Sequence, residues 1–195
     1  MLHGNVSGKK IMPAVFLDRD GCITEEKSYV RTAEDMEVYS FAAACIGKLH
    51  EMGYLAVVIT NQSGIGRGYF TEEALEEMND RLLRETGVDA IYYCPHWYNE
   101  KSTLSQYNID CECRKPKTGM IDRARREFAA KGIDIDMGHS WFVGDRATDL
   151  LTGKNAGIKS ALVRTGYGSG RLEQPVEPDF VCEDLEAFVT MLEKA

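Results

Sequence analysis

The sequence predicts an α/β fold: a mainly parallel sheet with helices on both faces. Two observations predict it. Short apolar runs alternate along the chain with stretches of helical spacing, the order that winds a parallel sheet and covers both of its sides. Three of the apolar runs end in polar, glycine-containing segments, "DRDG", "TNQSG" and "GDRATD". Loops at the carboxyl ends of parallel strands converge on one crevice, so these endings point to a shared site.

The first run, Ala14–Leu17 in "PAVFLDRDG", is a short buried strand stopped by charge and glycine. "FAAACIGKLHEMG" follows with helical spacing and stops at Gly53, a natural residue for a helix end. "YLAVVITNQSG" is a second apolar strand, leading into a glycine-rich loop. Thr71 can cap a helix that extends toward Gly87, although Ala74 leaves it without the acid of a full capping box. "DAIYYC" is a third strand, ending at a cysteine. Gly119–Ala130 reads as a helix, and "SWFVGDRATD" as a fourth strand and its loop. A helix through Leu151–Ala156, a strand in "SALVRTG", and a last strand and closing helix in "DFVCEDLEAFVTMLEK" complete the order. No repeat or low-complexity tract interrupts it. The 195 residues suit one domain with a substantial core. The expectation is a single domain over 1–195 with a loop insert at about 94–113.

The formal charge of -8 argues against a nucleic-acid partner, which calls for clustered basic surface. An anionic small substrate remains compatible, because a few cations and a metal reverse the sign inside one pocket. No run is long enough to cross a bilayer, and "MLHGNVSGKKIMPAV" lacks the apolar segment and cleavage site of a signal peptide. Cytoplasm is the expected compartment, and a monomer the default. Six cysteines are present, but only Cys94, Cys111 and Cys113 cluster, around His96. In a reducing compartment that favours metal ligation over disulfides.

Asp18 and Asp20 flank Arg19 at a strand end. If the chain stays extended there, their carboxylates point the same way; if it turns, a backbone carbonyl can replace one of them. Paired oxygens suit Mg²⁺ when a third acid arrives from another strand, and Asp145 in "FVGDRATD" is that acid. An Asp-x-Asp pair alone is commonly a turn; the matching acid in a later unit makes this one a candidate site. Thr60 and Asn61 end the second strand before Gly64, Gly66 and Gly68, where a hydroxyl and backbone N–H groups can hold a tetrahedral anion. Arg114 and Lys115 can balance negative charge around a phosphoryl group.

Cys94, His96, Cys111 and Cys113 form a Cys₃His set that fits tetrahedral Zn²⁺. Four protein ligands leave no open position, so the expected role is structural: fixing the intervening loop and, with it, Arg114 and Lys115. The interval between "DRDG" and "TNQSG" is too short for a large cap domain. Arg67, Arg114, Arg146 and Lys154 are candidate contacts for a second phosphate, with Arg67 and Arg114 favoured by their neighbouring loops. Trp141 is expected in the core. Trp97 is expected either to touch substrate or to pack over the zinc loop, and His139 has no evident acid partner.

"FLDRDG", "VVITNQSGIGRGYF", "CPH…CECRKPKTGM" and "FVGDRATD" together resemble the zinc-containing haloacid-dehalogenase-type phosphatases. More closely, they resemble the branch acting on D-glycero-D-manno-heptose 1,7-bisphosphate and on histidinol phosphate. The likeness runs from about Pro13 to Gly168. It implies the Rossmann-like fold of that family, with Asp18 as nucleophile and Asp20 as the acid and base. It also implies Mg²⁺ held by Asp18, the carbonyl of Asp20 and Asp145. Thr60 would then bind phosphoryl oxygens, Lys115 would neutralise charge, and Asp149 would support the metal's water shell or orient the lysine. Cys22 stands where the family commonly has threonine. The implied activity is removal of the 7-phosphate from the heptose bisphosphate. The alternatives are histidinol phosphate or another small sugar phosphate and, in a different class, an inactive zinc-stabilised interaction module.

Overall fold

The computed structural model describes residues 9–194; the segment read for a leader lies mostly outside them. The strands are β1 (Lys10–Met12), β2 (Ala14–Leu17), β3 (Leu55–Asn61), β4 (Ala90–Cys94), β5 (Ile133–Ile135), β6 (Trp141–Gly144), β7 (Lys159–Val163) and β8 (Phe180–Cys182). The helices are α1 (Ala42–Glu51), α2 (Glu72–Thr86), α3 (Gly119–Ala130), α4 (Ala147–Asn155) and α5 (Leu185–Leu192). Six strands form one sheet in the order β4-β3-β2-β6-β7-β8, and every pairing in it is parallel. The chain winds from β2 out to β4 and then resumes on the other side of β2 with β6. The crevice where a ligand binds in such a sheet therefore opens above β2 and β6.

Alternation along each strand sorts the side chains into two cores. Val15 and Leu17 of β2, with Ala56 and Val58 of β3, face α1, α2 and α5. Ala14 and Phe16, with Val57 and Ile59, face α3 together with Phe142. The helix α4 crosses this second face closely: a Cβ on its Gly153 would lie 3.1 Å from Phe142 Cβ. Phe16 and Phe142 are fully buried, and each contributes on the order of 2 kcal/mol through removal from water. Trp141 sits in the core, edge-on to Phe188 at 5.5 Å. No helix of the described residues is long and apolar enough to cross a membrane.

The mainly parallel sheet and its two helical layers match the expected fold class. Thr71 caps α2 by accepting the backbone N–H of Ala74 at 3.3 Å, and Gly87 ends it with φ 75°. Three elements differ from expectation. β1 and β5 form a separate parallel pair, Lys10 opposite Ile133, with three residues each, too few to show a period. α4 begins at Ala147 rather than Leu151 because Asp149 folds back onto the start of the helix. Its carboxylate accepts the backbone N–H of Arg146 at 2.9 Å, so "GDRATD" is largely a helix start.

Candidate active site

The endings of β2, β3 and β6 meet at one cavity of about 440 Å³. Asp18 follows β2, which places it beside β6, and its backbone N–H reaches the carbonyl of Val143 at 2.9 Å. Its Oδ1 accepts the N–H of Arg19 at 2.7 Å and forms an ion pair with Lys115 Nζ at 2.9 Å. The same ammonium lies 2.6 Å from Asp149 Oδ1. Lys115 is only 4% exposed. Burial works against its charge, but Asp149 and Asp18 outweigh that and hold its pKa above the ordinary lysine value. The cation is therefore fixed between two carboxylates.

Asp145 is fully buried at the end of β6. Its Oδ2 accepts the N–H of Tyr167 at 2.8 Å, while Oδ1 has no partner. Burial, then the charges of Asp18 and Asp149, push its carboxyl up to about 8. Burial raises Asp18 to about 7 although Lys115 pulls it down. Donor oxygens of Asp18, Asp145 and Asp149 lie within 4.8 Å of one another. Buried carboxylates this close, one with an orphaned oxygen, fit a hard divalent cation. Gly21, at φ 82°, packs so close that any Cβ would collide with the Asp145 carboxylate, so the glycine of "DRDG" makes room for the acid of a distant strand.

Asp20 faces the same cavity from the other side of Arg19. The buried guanidinium holds it in a two-point contact, Nε to Oδ1 at 3.0 Å and Nη2 to Oδ2 at 2.9 Å. Thr60 is buried at the cavity wall. Asn61 also lines the cavity, but both ends of its amide engage Lys115: Oδ1 accepts the backbone N–H at 3.0 Å and Nδ2 donates to the carbonyl at 3.2 Å. Asn61, expected as a substrate contact, stays at the cavity wall and also holds the lysine's backbone.

Arg67, Arg114 and Arg146 all line this cavity. Arg67 lies 4.1 Å above the Trp97 ring, with its Nε buried and unpartnered. Trp97 thus packs under a cation of the site. Arg114 donates to the carbonyl of His96 at 3.2 Å. Arg146 stacks 4.6 Å over Tyr167 and bonds Glu173. Lys154 instead lines a separate, larger groove of about 1260 Å³ with Arg171, Glu173, Glu177 and Asp179; among the described residues those acids form no metal-type cluster. His139 does have an acid partner, Asp136 at 2.7 Å, on the exposed turn before β6. Cys22 is buried, with its Sγ 3.8 Å from the Val143 carbonyl.

Cys94, His96, Cys111 and Cys113 converge, with all four donor atoms within 4.8 Å of one another. Cys113 Sγ is 3.3 Å from His96 Nδ1 and 3.2 Å from Cys111 Sγ. Three thiols and an imidazole at this spacing suit Zn²⁺, whose thiolate and imidazole bonds draw such donors around one centre. Sequence reasoning missed Arg19 and Gln62, because neither residue type signals a catalytic partner until the fold brings it to Asp20.

A family model described as HAD-hydrolase-like matches residues 112–188. D-glycero-beta-D-manno-heptose-1,7-bisphosphate 7-phosphatase of Vibrio cholerae is 44% identical over 160 residues, covering 79% of this chain and 82% of the relative. The corresponding alpha-anomer phosphatase of Photorhabdus laumondii is 36% identical over 184 residues, covering 91% and 95%. Among solved structures, a D,D-heptose bisphosphate phosphatase of B. bronchiseptica, complexed with magnesium and phosphate, aligns at TM-score 0.76 and 32% identity. It covers 95% of this chain and 99% of that one. Likeness of this extent, over a fold that gathers Asp18, Lys115 and Asp145 at adjoining strand ends, shows that the chain belongs to the haloacid-dehalogenase-like phosphatases.

Proposed function

We propose that this phosphatase removes the 7-phosphate of D-glycero-D-manno-heptose 1,7-bisphosphate through a phosphoryl group carried on Asp18, with the whole chain acting as one catalytic domain. The observation that carries the reading is the contact of Lys115 Nζ with Asp18 at 2.9 Å beside the unpartnered Oδ1 of Asp145. Asp18 attacks phosphorus with the carboxylate oxygen that Lys115 leaves free. Attack by a carboxylate on a phosphate ester brings like charges together, and the fixed ammonium offsets that repulsion. Thr60 donates its hydroxyl to a phosphoryl oxygen. Asp20 gives a proton to the departing alkoxide, then accepts one from the water that cleaves the aspartyl-phosphate. That second displacement releases inorganic phosphate and returns Asp18 to a carboxylate.

Asp18, Asp145 and the carbonyl of Asp20 would hold Mg²⁺, which when bound supplies positive charge to the phosphoryl oxygens. Asp149 supports the set by orienting Lys115. Cys94, His96, Cys111 and Cys113 would hold a structural Zn²⁺ that fixes the loop carrying Arg114. A second phosphate on the substrate finds positive charge at Arg67, which pairs with no acid among the described residues, aided by Arg114 and Arg146; this favours a sugar bisphosphate over histidinol phosphate, whose ammonium needs acids or carbonyls.

The test is a side-by-side measurement of Mg²⁺-dependent phosphate release from both anomers of the heptose bisphosphate, from histidinol phosphate and from a simple hexose phosphate. The bisphosphate is expected to lead in kcat/KM by on the order of 100-fold, the size of losing contacts to a charged group. Equal or faster turnover of histidinol phosphate would reject the substrate assignment, and no turnover of any ester would reject the activity.

A further inference from the structure

We infer that Gln62 is a positioning residue of the hydrolysis: its amide turns the Thr60 hydroxyl toward the phosphoryl group and holds the Asp20 carboxylate in register with it. The inference rests on the proposed roles of Thr60 and Asp20.

Gln62 is 5% exposed and lines the cavity. Its Nε2 lies 2.9 Å from Asp20 Oδ2 and 2.9 Å from Thr60 Oγ1. A primary amide nitrogen carries two hydrogens, so one serves each oxygen. The contact to Thr60 has a consequence for the hydroxyl. Because Oγ1 accepts the amide hydrogen, its own proton is free, and among the described residues Thr60 Oγ1 donates to no protein acceptor. The nearest use for that proton is an anionic oxygen in the cavity.

The contact to Asp20 completes a clamp. Arg19, 1% exposed, grips both carboxylate oxygens from one side, and Gln62 meets Oδ2 from the end of β3. The backbone fixes Gln62 in turn, since its N–H donates to the carbonyl of Cys94 at 2.8 Å. One side chain therefore links the group that binds the phosphoryl oxygens to the group that handles the leaving-group proton.

A glutamate at this position would have nearly the same shape and the opposite effect. It would repel Asp20 and would accept the Thr60 proton, turning the hydroxyl away from substrate. Gln62→Met keeps the volume and removes both contacts without adding charge.

Two esters separate this role from a general loss of structure. The heptose bisphosphate leaves as a poor alkoxide and needs the proton from Asp20; p-nitrophenyl phosphate leaves as a stable phenolate and needs it little. For Gln62→Glu, kcat/KM should fall on the order of 100-fold on the sugar ester and about tenfold on the phenyl ester. The inhibition constant of inorganic phosphate should rise several-fold, because the Thr60 arm is disturbed in both cases. Gln62→Met should show the same ordering with smaller changes, and it supplies the reading if the glutamate variant does not fold. Equal losses on both esters with unchanged phosphate inhibition, or no loss, would overturn the assignment. Wild-type protein lacking Mg²⁺-dependent turnover of either ester would instead overturn the phosphatase reading and the role with it. Normal wild type beside an indifferent Gln62→Met overturns the role alone.

Discussion

At the scale of single residues, the site is a set of short contacts among groups that come from distant parts of the chain. Asp18 and Lys115 meet at 2.9 Å, and Asn61 grips the lysine's backbone at both of its polar groups. Asp18→Asn keeps the shape and removes the proposed nucleophile; turnover should fall at least ~1000-fold while the thermal midpoint is retained, as read by phosphate release and circular dichroism. Asn61→Ala should cost about 1–3 kcal/mol in denaturant unfolding, because it leaves backbone groups of Lys115 without partners. The same variant should lower kcat more than it raises KM if the lysine has its proposed role of offsetting the charge that develops during reaction. An unchanged kcat would show that the lysine holds its place without Asn61. The identities of Asp18, Asp20, Lys115 and Asp145 were legible as sequence because each sits in a short motif of matching chemistry. The clamp by Asn61 was not, since an amide at a strand end looks the same whether it faces a substrate or a lysine carbonyl.

At the scale of elements, the loop between β4 and α3 ties the Cys/His cluster, the proposed zinc site, to the active site. Arg114 donates to the carbonyl of His96 at 3.2 Å, so the position of this cation depends on the segment the four ligands gather. A second anchor holds the loop from the other side: Glu72, in the first turn of α2, accepts the hydroxyls of Tyr107 at 2.7 Å and Tyr93 at 3.0 Å. Stripping the metal with a chelator, or replacing Cys113 by Ser, should lower the thermal midpoint by several degrees. It should also reduce turnover of the bisphosphate more than of a monophosphate, because Arg114 loses its placement. Resupplied Zn²⁺ should restore the chelated protein and not the variant; an unaltered midpoint after verified metal removal would deny the loop its dependence on the ion. The large elements could be read because their apolar periods run over enough residues. β1 and β5 could not, because each is three residues that include a charged one, Lys10 and Asp134, and shows no apolar run; α4 was placed late because its first turn is built from residues that read as a polar loop.

At the scale of the whole molecule, the fold buries Asp18 and Asp145 at adjoining strand ends and Asp149 in the first turn of α4, and matches these carboxylates with one lysine. Burial raises Asp18 to about 7 and Asp145 to about 8, each from an ordinary value near 3.8. Groups raised in the folded state bind more protons there than in the unfolded chain. Their contribution to stability is complete below about pH 4 and is lost as pH rises through about 7 to 8. A divalent cation replaces the proton and removes that penalty. The stabilisation by Mg²⁺ should therefore be small at pH 5 and grow toward pH 8, which thermal melts with and without the ion will measure. A shift that is equal at both pH values would mean that the ion does not compete with these protons.

The sequence by itself determined the alternation of strands and helices, the carboxylates and hydroxyl at the strand ends, and the four metal-type ligands, because these depend on local patterns of a few residues. Only the tertiary structure decided which polar groups are partners. The bridge of Gln62 between Asp20 and Thr60, the grip of Arg19 on Asp20, and the commitment of Asn61 to Lys115 depend on where β2, β3 and the loop before α3 come to lie in space. Hydrogen bonds and ion pairs act over about 3 Å, and no spacing along the chain reports which residues the sheet will bring that close.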